Sequence, residues 1–242
     1  MAAFLLALIA STCGGGVLNE EFEYEEELYL SLDGSAQLQV HASVAALVAL
    51  RGADLDVNPR ARVDRASVRA LFEGPGVEVS TPTLSRRHGR RFVHVRIDVG
   101  DIRQLPRVAP FSWSTYRFDR QGETFHYRQV VGASAARPVG EVGWTGGELV
   151  GFRLHLPSKI DFHNAPSREV ERGNILEWTQ PLTARLRGEA VDLEVHMQPE
   201  TILHTTLLLF ASTIVAAAVA FAVVIWWVVR RGRDPELAES RS

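Results

Sequence analysis

The stretch EEFEYEEELYLSLDGSAQLQV, residues 20–40, alternates apolar and polar side chains on both sides of a central Asp33-Gly34 pair. A period of two is that of a β-strand with one face toward solvent. Asp-Gly is typical of a two-residue hairpin turn, because both residues tolerate positive φ. The stretch therefore predicts an antiparallel hairpin at the start of a folded domain.

Two short helices are predicted directly after this hairpin. Ser43 is suited to cap a helix over residues 44–51, which Gly52 would end, and Asp64 is suited to cap a second helix over residues 64–73. Alternation then returns, and a hairpin with a polar turn at residues 85–91 is expected between residues 77–79 and 92–99. Further strands are predicted at residues 113–118, 124–131, 148–156, 174–179 and 191–197. The fold class that follows is α+β, a mostly antiparallel sheet domain with two or three short helices.

The C-terminal part of the chain carries a long apolar segment, LLLFASTIVAAAVAFAVVIWWVV, at residues 207–229. Its 23 residues contain no charge, proline or glycine, and about 20 such residues cross a bilayer as a helix. The sequence therefore predicts one transmembrane helix within residues 204–229; the alternative is a buried core helix. Three arginines follow within residues 230–233, so the positive-inside bias predicts that the tail, residues 230–242, is cytoplasmic.

The N-terminus has a shorter apolar run, AAFLLALIA at residues 2–10, followed by Ser11, Thr12 and Cys13. This length suits a signal peptide over residues 1–13 and predicts that residues 14–203 form an extracytoplasmic domain. The residues before Cys13 resemble a lipobox, with departures at Ala10 and Thr12, and make Cys13 a candidate lipid anchor. The alternative is an unmodified cysteine.

Composition and motifs exclude several functional classes. The net charge of −3 argues against a nucleic-acid binder, and a single cysteine excludes a disulfide framework. The sequence lacks a nucleophile elbow, a zinc-protease helix motif, a phosphate-binding loop and a dinucleotide fingerprint. We therefore expect no catalytic residues, metal or cofactor. An enzyme remains the alternative, with Asp161, His163 and Glu177 as its candidate residues.

Four arginines cluster in the segment RRHGRR, residues 86–91. Guanidinium groups bind phosphate through paired hydrogen bonds, and together they create a local positive field. The sequence predicts that Arg86, Arg87, Arg90 and Arg91 contact anionic lipid headgroups or an acidic partner. The alternatives are a solvated turn that keeps strands apart, or pairing with the acidic strand at residues 20–27.

The segment HLPSKIDFHNAPSREVERGNILEWTQPLTARLRGE, residues 155–189, resembles the C-terminal part of the LppM-like bacterial envelope lipoproteins. The matching residues are Leu156-Pro157, Asn164, Gly173-Asn174 and Trp178, followed by the apolar span. The resemblance implies an envelope lipoprotein with an α+β ectodomain and an apolar or lipid ligand.

Together these features predict a non-enzymatic, membrane-anchored extracytoplasmic module that binds or scaffolds in the bacterial cell envelope. Its expected partners are membrane lipids and an envelope protein, not nucleic acid. The alternatives are an envelope enzyme acting on lipid or cell-wall substrates, or a structural subunit of a membrane complex.

Overall fold

The computed structural model describes residues 22–167, 170–171 and 173–231, and it has the α+β fold predicted from the sequence. Eleven strands form two sheets in this part of the chain. The strands are β1 (Phe22–Leu30), β2 (Ala36–Ser43), β3 (Val77–Val79), β4 (Thr83–Arg87), β5 (Arg90–Val99), β6 (Ser114–Gln121), β7 (Thr124–Val131), β8 (Leu149–His155), β9 (Ser158–His163), β10 (Ile175–Pro181) and β11 (Val191–Thr201). The helices are α1 (Val44–Arg51), α2 (Arg65–Phe72), α3 (Leu182–Leu186) and α4 (Ile202–Arg231), with 3₁₀ turns at Ile102–Arg107 and Ala109–Phe111.

The larger sheet has the order β10-β8-β1-β2-β5-β3, with β4 also paired to β5. Its strands pair antiparallel except for β1 and β8, which run parallel. The smaller sheet has the order β6-β7-β11-β9 and is antiparallel throughout. One apolar core includes side chains from both sheets, such as Phe152 in the larger and Tyr127 in the smaller.

The opening hairpin forms in the predicted place, but its connection is longer than a two-residue turn. Strand β1 ends at Leu30 and β2 begins at Ala36, so Asp33-Gly34 lies within a five-residue loop. The Asp33 carboxylate accepts hydrogen bonds from the Ser35 amide at 2.9 Å and from its hydroxyl at 2.6 Å. These local bonds stabilise the wider loop, because an aspartate can bond the backbone two residues further on.

Both predicted helices form with the expected N-caps. Ser43 Oγ accepts from the Ala46 amide at 3.0 Å, and Gly52 ends α1 in the left-handed region at φ +68°. Every residue of α1 is buried, and the helix contacts β1, β2, β5 and α3. Asp64 caps α2, whose apolar face buries Val68 and Phe72.

The arginine-rich hairpin differs from its prediction in both partner and turn. Residues 83–87 form β4, which pairs with the start of β5, while β3 pairs with its end. The turn is reduced to His88-Gly89, with φ +48° and +75°. Two consecutive positive φ values match the twist of the flanking strands, so the hairpin closes tightly. The polar segment 85–91 is therefore mostly strand.

Helix α4 follows β11 without an intervening loop. Its segment Leu209–Arg230 has a mean hydropathy of 2.4 and is long and apolar enough to cross a membrane. None of the most apolar window is buried against the rest of the chain. A buried core helix, the alternative from sequence, would need such contacts.

Candidate functional site

The four arginines of the β4–β5 hairpin fall into two pairs with different environments. Arg90 and Arg91, at the start of β5, are buried, whereas Arg86 and Arg87, at the end of β4, are exposed. Surface contact therefore stays a prediction for Arg86 and Arg87. It does not describe Arg90 and Arg91, whose guanidinium groups bind partners inside the domain.

Arg90 pairs with the acidic first strand, as one alternative from the sequence predicts. Its Nε lies 2.8 Å from Oε1 of Glu23, which is itself fully buried. Its Nη1 donates to the Gly143 carbonyl at 2.7 Å, and Trp144 Nε1 donates to the other Glu23 oxygen at 3.0 Å. A buried charge needs such partners, so we assign Arg90 a structural role.

Arg91 holds the loop between α1 and α2 against the hairpin. Its Nη1 donates to the Ala61 carbonyl at 2.9 Å, and its Nη2 donates to the Asp56 carbonyl. Burial lowers the pKa of Arg91; the nearby Asp56 opposes this shift and Arg86 adds to it. Through these two hydrogen bonds, the side chain holds residues 56–61 beside β5.

This loop and the hairpin enclose an open groove of about 670 Å³, which we call the arginine groove. Its lining contains four arginines and no aspartate or glutamate. The lining residues are Arg60, Ala61, Arg62, Val63, Leu84, Ser85, Arg86, Arg91 and Phe92. Val63 and Leu84 are partly buried against the core, so one part of the groove is apolar.

Sequence reasoning missed Arg60 and Arg62, which lie more than 20 positions before the hairpin arginines. The signal was present in NPRARVDR, residues 58–65, where Arg60 and Arg62 alternate with small or apolar residues. Only the fold brings these residues to Arg86. The sequence does not show that Arg91 holds this loop against β5.

Arg87 is exposed, but its guanidinium group contacts two residues of the domain. Its guanidinium carbon lies 4.4 Å from the Phe92 ring centroid, and its Nη2 donates to the Phe22 carbonyl. A guanidinium over an aromatic face is attracted by the ring's negative face. Arg86 is exposed and has no ion pair or hydrogen bond from its side chain within the described residues.

The candidate residues of an enzyme lie on separate sheets. Glu177, on β10 of the larger sheet, accepts a hydrogen bond from Arg153 Nη2 at 2.9 Å. Asp161 and His163 are on β9 of the smaller sheet, and Asp161 accepts from Gln198 at 3.0 Å. Each of the two carboxylates therefore accepts a hydrogen bond from a different side chain.

The solvent side of the larger sheet also carries a paired histidine. His41 and His94 are opposite each other on β2 and β5, with their Nδ1 atoms 2.8 Å apart, and His94 Nε2 lies 2.7 Å from Ser85 Oγ. Burial lowers the pKa of both histidines, with His41 adding to the shift at His94. At this separation one Nδ1 donates a hydrogen bond to the other. In the described part of the chain, no group of three or more His, Cys, Asp and Glu side chains could hold a metal ion.

A second polar network lies between the two sheets. Arg51 Nη2 is 2.6 Å from Glu26 Oε1, and both side chains are almost inaccessible to solvent. Gln129, from β7, donates to the other Glu26 oxygen at 3.2 Å and accepts from Tyr127 at 2.7 Å. This network joins α1, β1 and β7 and is enclosed by the core, so it stabilises the sheet packing.

No family model and no curated protein matches the sequence. Among solved structures, the chain is similar to the folded domain of LppM from Mycobacterium tuberculosis, determined by NMR. The TM-score is 0.40 at 11% sequence identity, over 78% of this chain and 97% of that domain. That similarity is too low to assign a family or to transfer a ligand.

Cys13 lies outside the described residues, as does most of the predicted tail. The lipid-anchor and signal-peptide predictions therefore stay predictions.

Proposed function

We propose that this chain is a single-pass, membrane-anchored module of the bacterial cell envelope that holds a non-enzymatic binding domain outside the cytoplasm. The observation that carries the proposal is the apolar segment Leu209–Arg230, whose most apolar window is not buried against the sheet domain. In water such a surface would be strongly unfavourable, whereas in a bilayer it needs no other partner.

The geometry at the start of α4 supports an anchored domain close to the membrane. The helix begins at Ile202, directly after β11, and the apolar sequence begins at Leu207. Five residues of helix rise about 7.5 Å. A continuous helix of this length would keep the sheet domain near the headgroups, unlike a long flexible linker.

The flanking residues favour one orientation. Trp226 and Trp227 lie at the end of the span nearest the tail, and Arg230 lies 5.0 Å from the Trp226 ring centroid. Indole rings favour the interface, and arginines are retained on the cytoplasmic side. The sheet domain would then be extracytoplasmic, as the predicted signal peptide requires.

A membrane-extraction and reporter experiment tests this proposal. The full chain should remain in the membrane pellet in alkaline carbonate, and a chain that ends at residue 203 and carries Cys13→Ser should be released. Alkaline phosphatase fused after Ser242 should be inactive, whereas the same enzyme fused after residue 203 should be active. An active fusion at Ser242, or release of the full chain by carbonate, would refute the proposal.

The lipid-anchor part of the proposal has a separate measurement. Mass spectrometry of the mature N-terminus should find acylated Cys13, and Cys13→Ser should carry no acyl chain. The span alone would then retain Cys13→Ser in the membrane. A mature N-terminus with free Cys13, or one starting elsewhere, would rule out the acyl anchor while leaving the span proposal intact.

Contact of Arg86 and Arg87 with an anionic membrane surface is also proposed. An arginine near an anionic surface contributes about 1 kcal/mol. The full chain in discs of phosphatidylcholine can be compared with discs containing phosphatidylglycerol, using arginine modification by phenylglyoxal. Modification of Arg86 should fall in the anionic discs, while exposed Arg117 on β6 serves as the control. Equal modification in both discs would disprove this contact.

A further inference from the structure

The arginine groove places three exposed guanidinium groups around one opening. We infer that it is a binding site for a phosphoryl group, held by Arg60, Arg62 and Arg86, on a small ligand or a lipid headgroup. This inference deepens the proposed binding function, but it depends on the sheet domain and not on membrane orientation.

The charge distribution in the groove favours an anion. Arg86 and Arg91 are directly opposite each other on β4 and β5, and like charges in such a pair are destabilising. No carboxylate lines the groove to offset them. A bound dianion would reduce this repulsion, so its binding would lower the electrostatic energy of the groove.

Several other arginines in the domain have acidic partners. Arg51 and Arg90 bind buried glutamates, and surface Arg128 binds Asp192 through two hydrogen bonds. In contrast, Arg60, Arg62 and Arg86 have no ion pair or side-chain hydrogen bond within the part of the chain that the structure describes. Each guanidinium can offer five N–H donors in a planar fork, which matches a phosphate.

The two nearest carboxylates along the loop are already engaged. Asp56 accepts from the Asn58 amide at 2.8 Å and lowers the positive potential near Arg91. Asp64 caps α2 by accepting from the Ala66 and Ser67 amides. The capping bonds of Asp64 lower the pKa of its carboxyl. Neither carboxylate lines the groove.

Hydrogen bonds within the domain hold the loop that carries Arg60 and Arg62. Asn58 Oδ1 accepts from the Arg60 amide at 3.0 Å, and the Asn58 carbonyl accepts from the Ala61 amide at 3.0 Å. Arg91, on β5, donates a hydrogen bond to the Ala61 carbonyl and so holds the loop against that strand. A fixed loop reduces the entropy lost on binding, which is what a binding site requires.

The size and walls of the groove indicate the ligand class. About 670 Å³ is in the range of small-molecule sites, well above what a lone phosphate needs. Val63, Leu84 and Phe92 add apolar surface beside the arginines. The ligand that fits is a phosphoryl group attached to an organic moiety: a phosphomonoester in solution, or a lipid with a phosphomonoester headgroup.

Titration calorimetry on the full chain in a neutral detergent tests the inference, with glycerol 1-phosphate as the soluble probe. The groove variant carries Arg60→Gln, Arg62→Gln and Arg86→Gln. A matched control carries Arg107→Gln, Arg117→Gln and Arg120→Gln, which removes three exposed arginines elsewhere. We expect at least a tenfold loss of affinity in the groove variant and less than a twofold change in the control. Unfolding temperatures of both variants should match that of the unchanged chain.

A lipid arm distinguishes the two sources of the phosphoryl group. The full chain in phosphatidylcholine discs, with or without phosphatidic acid, is treated with phenylglyoxal, and the modified arginines are mapped by mass spectrometry. Glycerol 1-phosphate binding that needs the groove arginines identifies a soluble ligand. Protection of Arg60 and Arg62 by phosphatidic acid alone identifies a headgroup.

Two results would overturn the inference. One is the absence of binding and protection with both probes; the other is an equal loss in the groove variant and the control, which would show only a general charge effect. Neither result bears on the reporter fusion at Ser242, so failure of the groove and failure of the anchored topology remain distinguishable.

Discussion

Replacement of Arg51 by methionine should destabilise the sheet domain by breaking the buried Glu26 network. Arg51 Nη2 lies 2.6 Å from Glu26 Oε1, and the two side chains are 2% and 3% exposed. Tyr24 donates to the same oxygen at 2.5 Å, and Gln129 donates to the other at 3.2 Å. The variant would leave a buried carboxylate with only neutral donors.

The magnitude follows from the cost of an unpaired buried charge. Removing one partner of such a pair costs about 3–5 kcal/mol, from a total stability of about 5–15 kcal/mol. Removing both charges, with Arg51→Met and Glu26→Gln, avoids the unpaired charge. The double variant should therefore recover at least about half of the loss.

Urea unfolding of the full chain in neutral detergent, followed by tryptophan fluorescence, measures both variants. Buried Trp178 reports on the packing of the larger sheet. The midpoint should fall strongly for Arg51→Met and partly return in the double variant, with unchanged urea dependence. A loss below about 1 kcal/mol for Arg51→Met would refute the reasoning, as would a double variant no more stable than the single one.

Three further predictions concern the stability of the sheet domain. Since the folded pKa values of His41 and His94 are lowered by burial, below about pH 6.5 the unfolded chain binds protons that the folded chain does not. Stability measured by urea unfolding should therefore fall with pH below 6.5, and replacing both histidines by asparagine should flatten that fall; an unchanged slope would contradict it. Arg90→Met should leave buried Glu23 without its ion-pair partner and cost about 3–5 kcal/mol in the same assay, and a neutral effect would show that the pair is not structural. Asp64→Ala should lower the urea midpoint through loss of the α2 cap, and the conservative control Asp64→Ser should retain most of the stability; equal losses in both would exclude capping as the cause.

Local sequence signals predicted the local structure well. The caps at Ser43 and Asp64 mark the starts of α1 and α2, and alternation located the β1–β2 and β6–β7 hairpins. These features depend on residues close in sequence. Helix α3 was missed, because five residues carry too little periodicity to stand out.

The functional surface was only partly predictable, because the partners of its charged residues are distant in sequence. Four adjacent arginines looked like one charged tip, but packing against distant segments divided them into exposed Arg86 and Arg87 and internal Arg90 and Arg91. The partners that decide this division, Glu23 and the Ala61 carbonyl, lie 67 and 30 positions away from them. Nothing local to the hairpin specifies them.

The sequence alone determined the strand and helix periodicity and the apolar segment near the C-terminus, since each depends on side chains that are neighbours along the chain. The tertiary structure decided which charges are internal, that β1 pairs parallel with β8, and that Arg60 and Arg62 face the β4–β5 hairpin. Those outcomes depend on which distant surfaces bury each other, and burial is a property of the packed whole.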